Sequence, residues 1–257
     1  MRLAIRAYVG RGMDYLGGLA LLMDQLTRSL FRRPFDIDSV LYQVEAIGMR
    51  SLSVAAITAV FSGMVMTVQF AAQLARFGAK EYVGSVVSLS LVRELSPVLT
   101  ALMVGGRVGA GIAAELGSMV VTEQVDAIRA MGADPVKKLV LPRVMAGVIV
   151  FPLLTSFANL VGIFAAMLVA RLTADVSFTY FLSATTATVS FSDIAGGIGK
   201  TFFFGYFITL IACYHGLETK GGTEGVGIST TSAVVATSVA TLAVDFILTN
   251  ILLGLGL

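Results

Sequence analysis

The sequence predicts an all-α polytopic membrane protein: an N-terminal interfacial helix, five transmembrane helices, and a short cytoplasmic helix between the second and third. Of the 257 residues, 56% are hydrophobic and only 13% charged, with a mean hydropathy of +0.88. A soluble domain of this length could not hide so much apolar surface. Charge-poor windows recur at about the 20-residue length a span requires, and Lys and Arg gather on one side of those windows.

Residues 1–34 read as an amphipathic helix, separate from a transmembrane domain over 35–257. Leu16, Leu19, Ala20, Met23, Leu26 and Leu30 recur at helical spacing opposite Asp14, Gln25, Arg28 and Arg32, the pattern of a helix lying in the interface. The apolar stretch 15–23 is too short for a cleavable signal and leads into more charge. Pro34 is expected to end this helix, and 36–50 to form a second amphipathic connector.

Spans follow at about 51–75, 82–106, 144–170, 195–216 and 232–253. The segment 176–192 carries no charge but has eight Ser or Thr among its 17 residues, a poor lipid face. It reads as a helix at the outer surface or partly sunk between spans, with a sixth span the weaker alternative. Arg2, Arg6, Arg11, Arg28, Arg32, Arg33 and Arg50 precede the first span, and Arg129, Lys137, Lys138 and Arg143 follow the second. The opposite side has little more than Arg76, Lys80 and Arg171. The N-terminus is therefore expected in the cytoplasm and the C-terminus outside.

The stretch 122–135, TEQVDAIRAMGADP, reads as a capped polar helix over 122–131. Thr122 is placed to cap it, with Glu123 and Asp126 where the helix dipole favours anions. Gly132 supplies a left-handed terminator and Pro135 forbids resumption. Val125, Ile128 and Met131 form a narrow apolar stripe beside Glu123, Gln124, Asp126 and Arg129, giving a face suited to docking something soluble.

Composition also excludes several functions. Scattered basic residues bordered by acids make no nucleic-acid stripe. A lone Cys213 and a lone His215 permit neither an internal disulfide nor an ordinary zinc site, so no metal and no catalytic residue is expected. Gly199-Lys200-Thr201 imitates the end of a phosphate loop, but Ile194 stands where that loop needs glycine. Gly109 to Ala114 matches a dinucleotide fingerprint only as a string, with no strand before it. Gly105, Gly109 and Ala113, four residues apart, instead let another helix approach closely.

Charges inside the spans demand an account. Arg93, Glu94, Lys200 and Asp245 lie where an ionised group costs at least about 2.5–3.5 kcal/mol unless paired or wet. Two readings fit: an interhelical ion pair, Arg93 with Asp245 or Glu94 with Lys200, or a polar spot for a lipid head group in an apolar cavity. Pro97 leaves the Arg93 carbonyl without its usual intrahelical partner and bends the span beside these charges. Arg107 and Glu115, eight residues apart, share nearly one helix face, which suggests a salt bridge at the inner boundary. Met64, Met66 and Met103 read as adaptable filler, equally fit to line a path for acyl chains.

The run from Ser90 to Leu154, SLVRELSPVLTALMVGGRVGAGIAAELGSMVVTEQVDAIRAMGADPVKKLVLPRVMAGVIVFPLL, closely resembles the central signature of the MlaE/YrbE permeases. These are membrane subunits of ABC lipid transporters that work with MCE-domain proteins in systems tied to outer-membrane lipid asymmetry. The RELxPV, GRxGxxxAAELG and TEQxDA…MGxDP elements occur in order, and looser similarity runs from about Tyr42 to Leu252. The resemblance implies a homodimer in the bacterial inner membrane, with 122–131 docking on a cytoplasmic ABC ATPase dimer that binds ATP and Mg; this chain would hold no cofactor. It also implies a lipid cavity between protomers lined by Met66, Gln69, Phe70, Gln73, Leu91, Glu94, Val98, Leu242, Asp245 and Phe246, with an MCE-domain substrate-binding protein outside. Ser96 departs from the small residue, often glycine, expected before Pro97. The rival from the residues alone is a stand-alone ion-coupled carrier using Glu94 and Asp245. A lipid-modifying membrane enzyme fits least, because His215 cannot anchor a catalytic constellation.

Overall fold

The computed structural model describes residues 2–30 and 36–255. Arg32, Arg33 and Pro34 fall outside them. The described residues are helical apart from short turns and connections, with no strand among them, and five helical units are long and apolar enough to cross a membrane.

Helix α1 (Arg2–Leu30) lies against one end of the bundle. Its inward face overlaps the expected stripe only in part: Leu26 of that stripe is buried and Leu19 packs on the core, joined by Leu22 and Ser29, whereas Leu16, Met23 and Leu30 are exposed. The helix is apolar on two faces, and helical spacing alone does not say which one meets the bundle. Helix α2 (Ile37–Arg76) is continuous over 40 residues, so the connector at 36–50 and the first span are one helix. No proline interrupts this stretch, and Asp36 caps it by accepting from the Ser39 amide at 3.1 Å.

The second span runs on to Val121, well past the expected end near 106. A 3₁₀ turn (Lys80–Tyr82) leads into α3 (Val83–Ser90), a π-helical turn (Leu91–Leu95) and α4 (Ser96–Val121). The glycines of GGRVGAGIAAELG stay helical because packing overrides propensity. A Cβ at Gly105 would meet Ile208, and one at Gly109 would meet Thr237. At 42 residues the unit is about twice what the hydrocarbon core requires, so one end projects beyond it and carries helix α5 (Gln124–Ala130).

A second π-helical turn (Val136–Val140) opens α6 (Leu141–Ala174). Helix α7 (Phe178–Thr188) has 11 residues, about 16 Å, and cannot span. Two of its hydroxyls face α3: Ser88 shares a 2.7 Å hydrogen bond with Thr185, and Thr188 donates to Ser85 at 2.8 Å. Helices α8 (Phe191–Leu217) and α9 (Gly222–Gly254) complete the spans. Helix α2 packs chiefly on α6, α6 on α8, and α9 on α4 and α8. Two close approaches fix this order, Gly63 against the Gly162 carbonyl and Gly205 against the Gly147 carbonyl, where any Cβ would collide with backbone. The main core surrounds Phe151, Phe204, Val104 and Val140, and a second lies under α7 around Phe181, Val83, Val87 and Leu91.

Arg107 and Glu115 do not pair. The Arg107 guanidinium donates to Ser51 Oγ at 3.0 Å, and Glu115 instead meets Arg143, 2.7 Å away. Eight residues along a helix place two side chains on one face but more than a turn apart, and each finds a nearer partner on a neighbouring helix.

Candidate functional site

Two features of the fold are built for more than packing. The first is a cleft of about 300 Å³ where the π turn of the second span meets α8 and α9. Pro97 has no amide to offer the carbonyls a turn before it, and the chain there widens into a π turn, a distortion common at functional sites. The Arg93 carbonyl instead accepts from Lys200 Nζ at 3.4 Å. Gly197 lets α8 come this close, because a Cβ there would strike the Val92 carbonyl.

Lys200 is the hub. Its ammonium lies 2.7 Å from each Glu94 oxygen, 2.6 Å from Thr249 Oγ1 and 3.3 Å from Asp245 Oδ1. The Lys200 side chain is 3% exposed and that of Glu94 42%, so the cation is sealed in while a carboxylate faces the cleft. One cation between two acids satisfies the desolvation demand that an isolated buried charge could not. Of the expected pairs, Glu94–Lys200 forms. Arg93 turns instead to Asp193 at 3.4 Å, and Asp245 joins Lys200. Asp193 also closes a capping box with Ser190 at the start of α8. The signature Ser190-x-x-Asp193 was there to be found, as was the one-turn spacing that places Thr249 beside Asp245. Ser96, the departure before Pro97, is buried with no partner for its hydroxyl.

Residues expected around a lipid cavity are divided. Gln69 and Gln73 are exposed on α2 beside Arg76 and Phe77, forming a surface of their own. Met66, Phe70 and Val98 are half-buried, and Leu242 and Phe246 point outward from α9. Leu91 is fully buried in the core under α7 and lines no surface; in the π turn its side chain faces inward while Glu94 faces the cleft.

The second feature is the corner at α5. Thr122 does not cap it. Its hydroxyl donates back to the Ser118 carbonyl at 2.8 Å and closes α4, and it also accepts from the Gln124 side chain at 3.0 Å. Glu123, rather than joining the first turn, takes a left-handed conformation with φ 60° and reverses the chain. The helix covers only Gln124–Ala130. Gly132, at φ 77°, ends it as expected, with the Ala133 amide donating to the Ile128 carbonyl at 3.1 Å. Pro135 begins the next helix instead of barring it, since a first-turn proline lacks only an amide that would go unused.

The apolar stripe is not the outward face. Val125 is buried and Ile128 packs on the bundle core, so both anchor the corner. Only Met131 of the three is free, at 76% exposure. The surface left outside is Glu123, Gln124, Asp126, Arg129 and Met131, with Arg129 paired to Asp126 at 2.9 Å.

Beside this corner Lys138 binds Asp36 at 2.7 Å. That ammonium, then Ser39, holds the Asp36 carboxyl down at about 2 from its ordinary 3.8. A depressed carboxyl stabilises the fold above its unfolded value and loses that contribution as pH falls through the folded one. Asp36→Asn is therefore expected to melt slightly below wild type in detergent at neutral pH, with the gap closing between pH 3.8 and about 2. A gap that persists unchanged at pH 2 contradicts the pairing.

Among the described residues no group of His, Cys, Asp and Glu could hold a metal, and Cys213 is buried.

Similarity to known proteins agrees with this architecture. The family model described as Permease MlaE matches residues 40–251. The chain is 40% identical over 236 residues to a "Probable ABC transporter permease protein" of Rickettsia felis, covering 92% of this chain and 91% of that one. It is 38% identical over 215 residues to the "Intermembrane phospholipid transport system permease protein MlaE" of Haemophilus influenzae, covering 83% and 82%. With "TRIGALACTOSYLDIACYLGLYCEROL 1, chloroplastic" of Arabidopsis thaliana it shares 36% over 243 residues, covering 95% of this chain and 68% of that protein. A family match across nearly all of the spans, on a fold of five membrane-length helices, places the chain in the MlaE permease family as a multi-pass membrane protein.

Proposed function

We propose that the chain is the permease subunit of an ABC transporter that moves phospholipid, or a similar lipid, between the inner membrane and an MCE-domain partner. The driving force would come from a separate ATPase that binds ATP and Mg; this chain does no covalent chemistry. The observation that carries this reading is the α5 corner, a short helix anchored by Val125 and Ile128 that presents a polar face at the end of an over-long span. The Lys and Arg asymmetry supports a cytoplasmic corner and N-terminus and a periplasmic C-terminus.

A cleft of about 300 Å³ is at the small end of ligand pockets and does not enclose a two-tailed lipid. The outward apolar faces of α2 (Phe61, Val65, Val68) and α9 (Val239, Leu242, Phe246) are where a second copy would complete the cavity. Closure of the ATPase dimer would draw the two α5 helices together and squeeze that cavity, passing lipid toward the MCE side. The ion-coupled carrier is the weaker reading, since Lys200 already engages both oxygens of Glu94 and reaches Asp245 Oδ1, so neither acid stands alone as a protonation site.

Proteoliposomes separate the two. Lipid transfer to an MCE-domain acceptor is expected only with the ATPase subunit and ATP present. Full-rate transfer by the purified chain alone, or transfer driven by a pH jump without nucleotide, overturns the proposal.

A further inference from the structure

We infer that Arg143 is a positioning residue that ties the two helices flanking α5 into one unit, so that a load on α5 reaches α4 and α6 together. The inference rests on the reading of α5 as the ATPase contact.

Helix α5 has seven residues. It joins α4 through Thr122 and the left-handed Glu123, and joins α6 through the loop that ends in the π turn Val136–Val140. Val125 and Ile128 seat α5 on the core, but a load on it reaches both neighbouring helices only if the chain segments on either side of it are held as well. Arg143, in the first turn of α6, holds them. Its Nη2 donates to Glu115 Oε1 of α4 at 2.7 Å, and its Nη1 donates to the Leu139 carbonyl inside the π turn at 2.6 Å. One planar guanidinium thus links the helix before α5, the turn after it and the span that follows, and its fixed fork suits two acceptors at a set angle.

The energetics favour coupling over simple stability. The Arg143 side chain is 5% exposed and that of Glu115 55%. The buried member is the cation, whose desolvation is offset only while both acceptors stay in place, so parting α4 from α6 here is costly. Arg143 Nε is buried with no acceptor, a standing cost that an apolar side chain would avoid. The π turn is a weak point where Pro142 supplies no amide, and the bond to Leu139 stiffens it.

The test uses the complex with its ATPase subunit in proteoliposomes and reads lipid moved per ATP hydrolysed. Glu115→Gln alters the exposed partner and keeps its shape, while Arg143→Lys keeps the charge and loses the fork. Both are expected to lower lipid per ATP by about 3- to 10-fold, within the range by which residues away from both ligands change coupling, with ATPase attachment retained. A lower melting temperature with the ratio unchanged means a purely structural contact and overturns the inference. Should Arg143→Lys fail to fold, Glu115→Gln decides. A wild-type complex that shows no ATP-driven transfer sinks the reading of α5 itself, whereas ATP-driven wild type with unaltered variant ratios sinks only the link through Arg143.

Discussion

Replacing Lys200 with Met is expected to cost about 3 kcal/mol of stability and to abolish lipid transfer. Breaking a buried ion pair by removing one member costs about 3–5 kcal/mol, and the lower end applies because Glu94 stays partly wet. The Lys200 ammonium separates two carboxylates, Glu94 and Asp245, and also satisfies Thr249 and the Arg93 carbonyl that Pro97 leaves free. Without it the acids repel across the cleft, and α8 and α9 lose their shared contact with the π turn. The triple change Lys200→Met, Glu94→Gln, Asp245→Asn removes every uncompensated charge and should recover most of the melting temperature without recovering transfer. Thermal unfolding in detergent checks both statements. A single Lys200→Met that melts like wild type contradicts the assigned network.

Gly197→Val should be nearly as damaging, through geometry instead of charge. A Cβ at 197 would overlap the Val92 carbonyl, and backbone cannot swing aside as a side chain would. Overpacking of this kind costs about 1–3 kcal/mol or more, and relief requires α8 to withdraw from the π turn, which carries Lys200 away from Glu94. Gly199 has nothing within contact distance at its Cβ position, so Gly199→Ala should melt near wild type and serve as the control. Equal melting temperatures for Gly197→Val and Gly199→Ala would refute the close approach.

Much of this was legible in the sequence because the bilayer imposes coarse rules. Hydropathy over 20-residue windows locates the five spans, and the hydroxyl-rich stretch before α8 is too polar for a sixth; the structure turns Thr185 and Thr188 of it onto α3. The need to neutralise buried charge pointed to Glu94 and Lys200. Partners chosen by three-dimensional proximity were not legible: Arg93 finds Asp193, Glu115 finds Arg143 and Arg107 finds Ser51, each from a different helix. Boundaries were misread where local signals are shared between neighbouring elements. Thr122 can cap the helix that follows or close the one before, and a left-handed Glu123 gives no sign of itself in composition. The apolar stripe Val125, Ile128, Met131 marked a real face, yet two of its members are spent on the protein's own core, and the polar remainder is what stays free.

The most direct test of the central claim is to scramble the outward residues of 122–131 while keeping Val125 and Ile128, so that α5 remains anchored, and to measure ATPase-subunit co-purification together with ATP-driven lipid transfer. Loss of both, with the melting temperature of the permease unchanged, is the predicted result. Retention of attachment and transfer at wild-type levels would show that force enters this protein elsewhere.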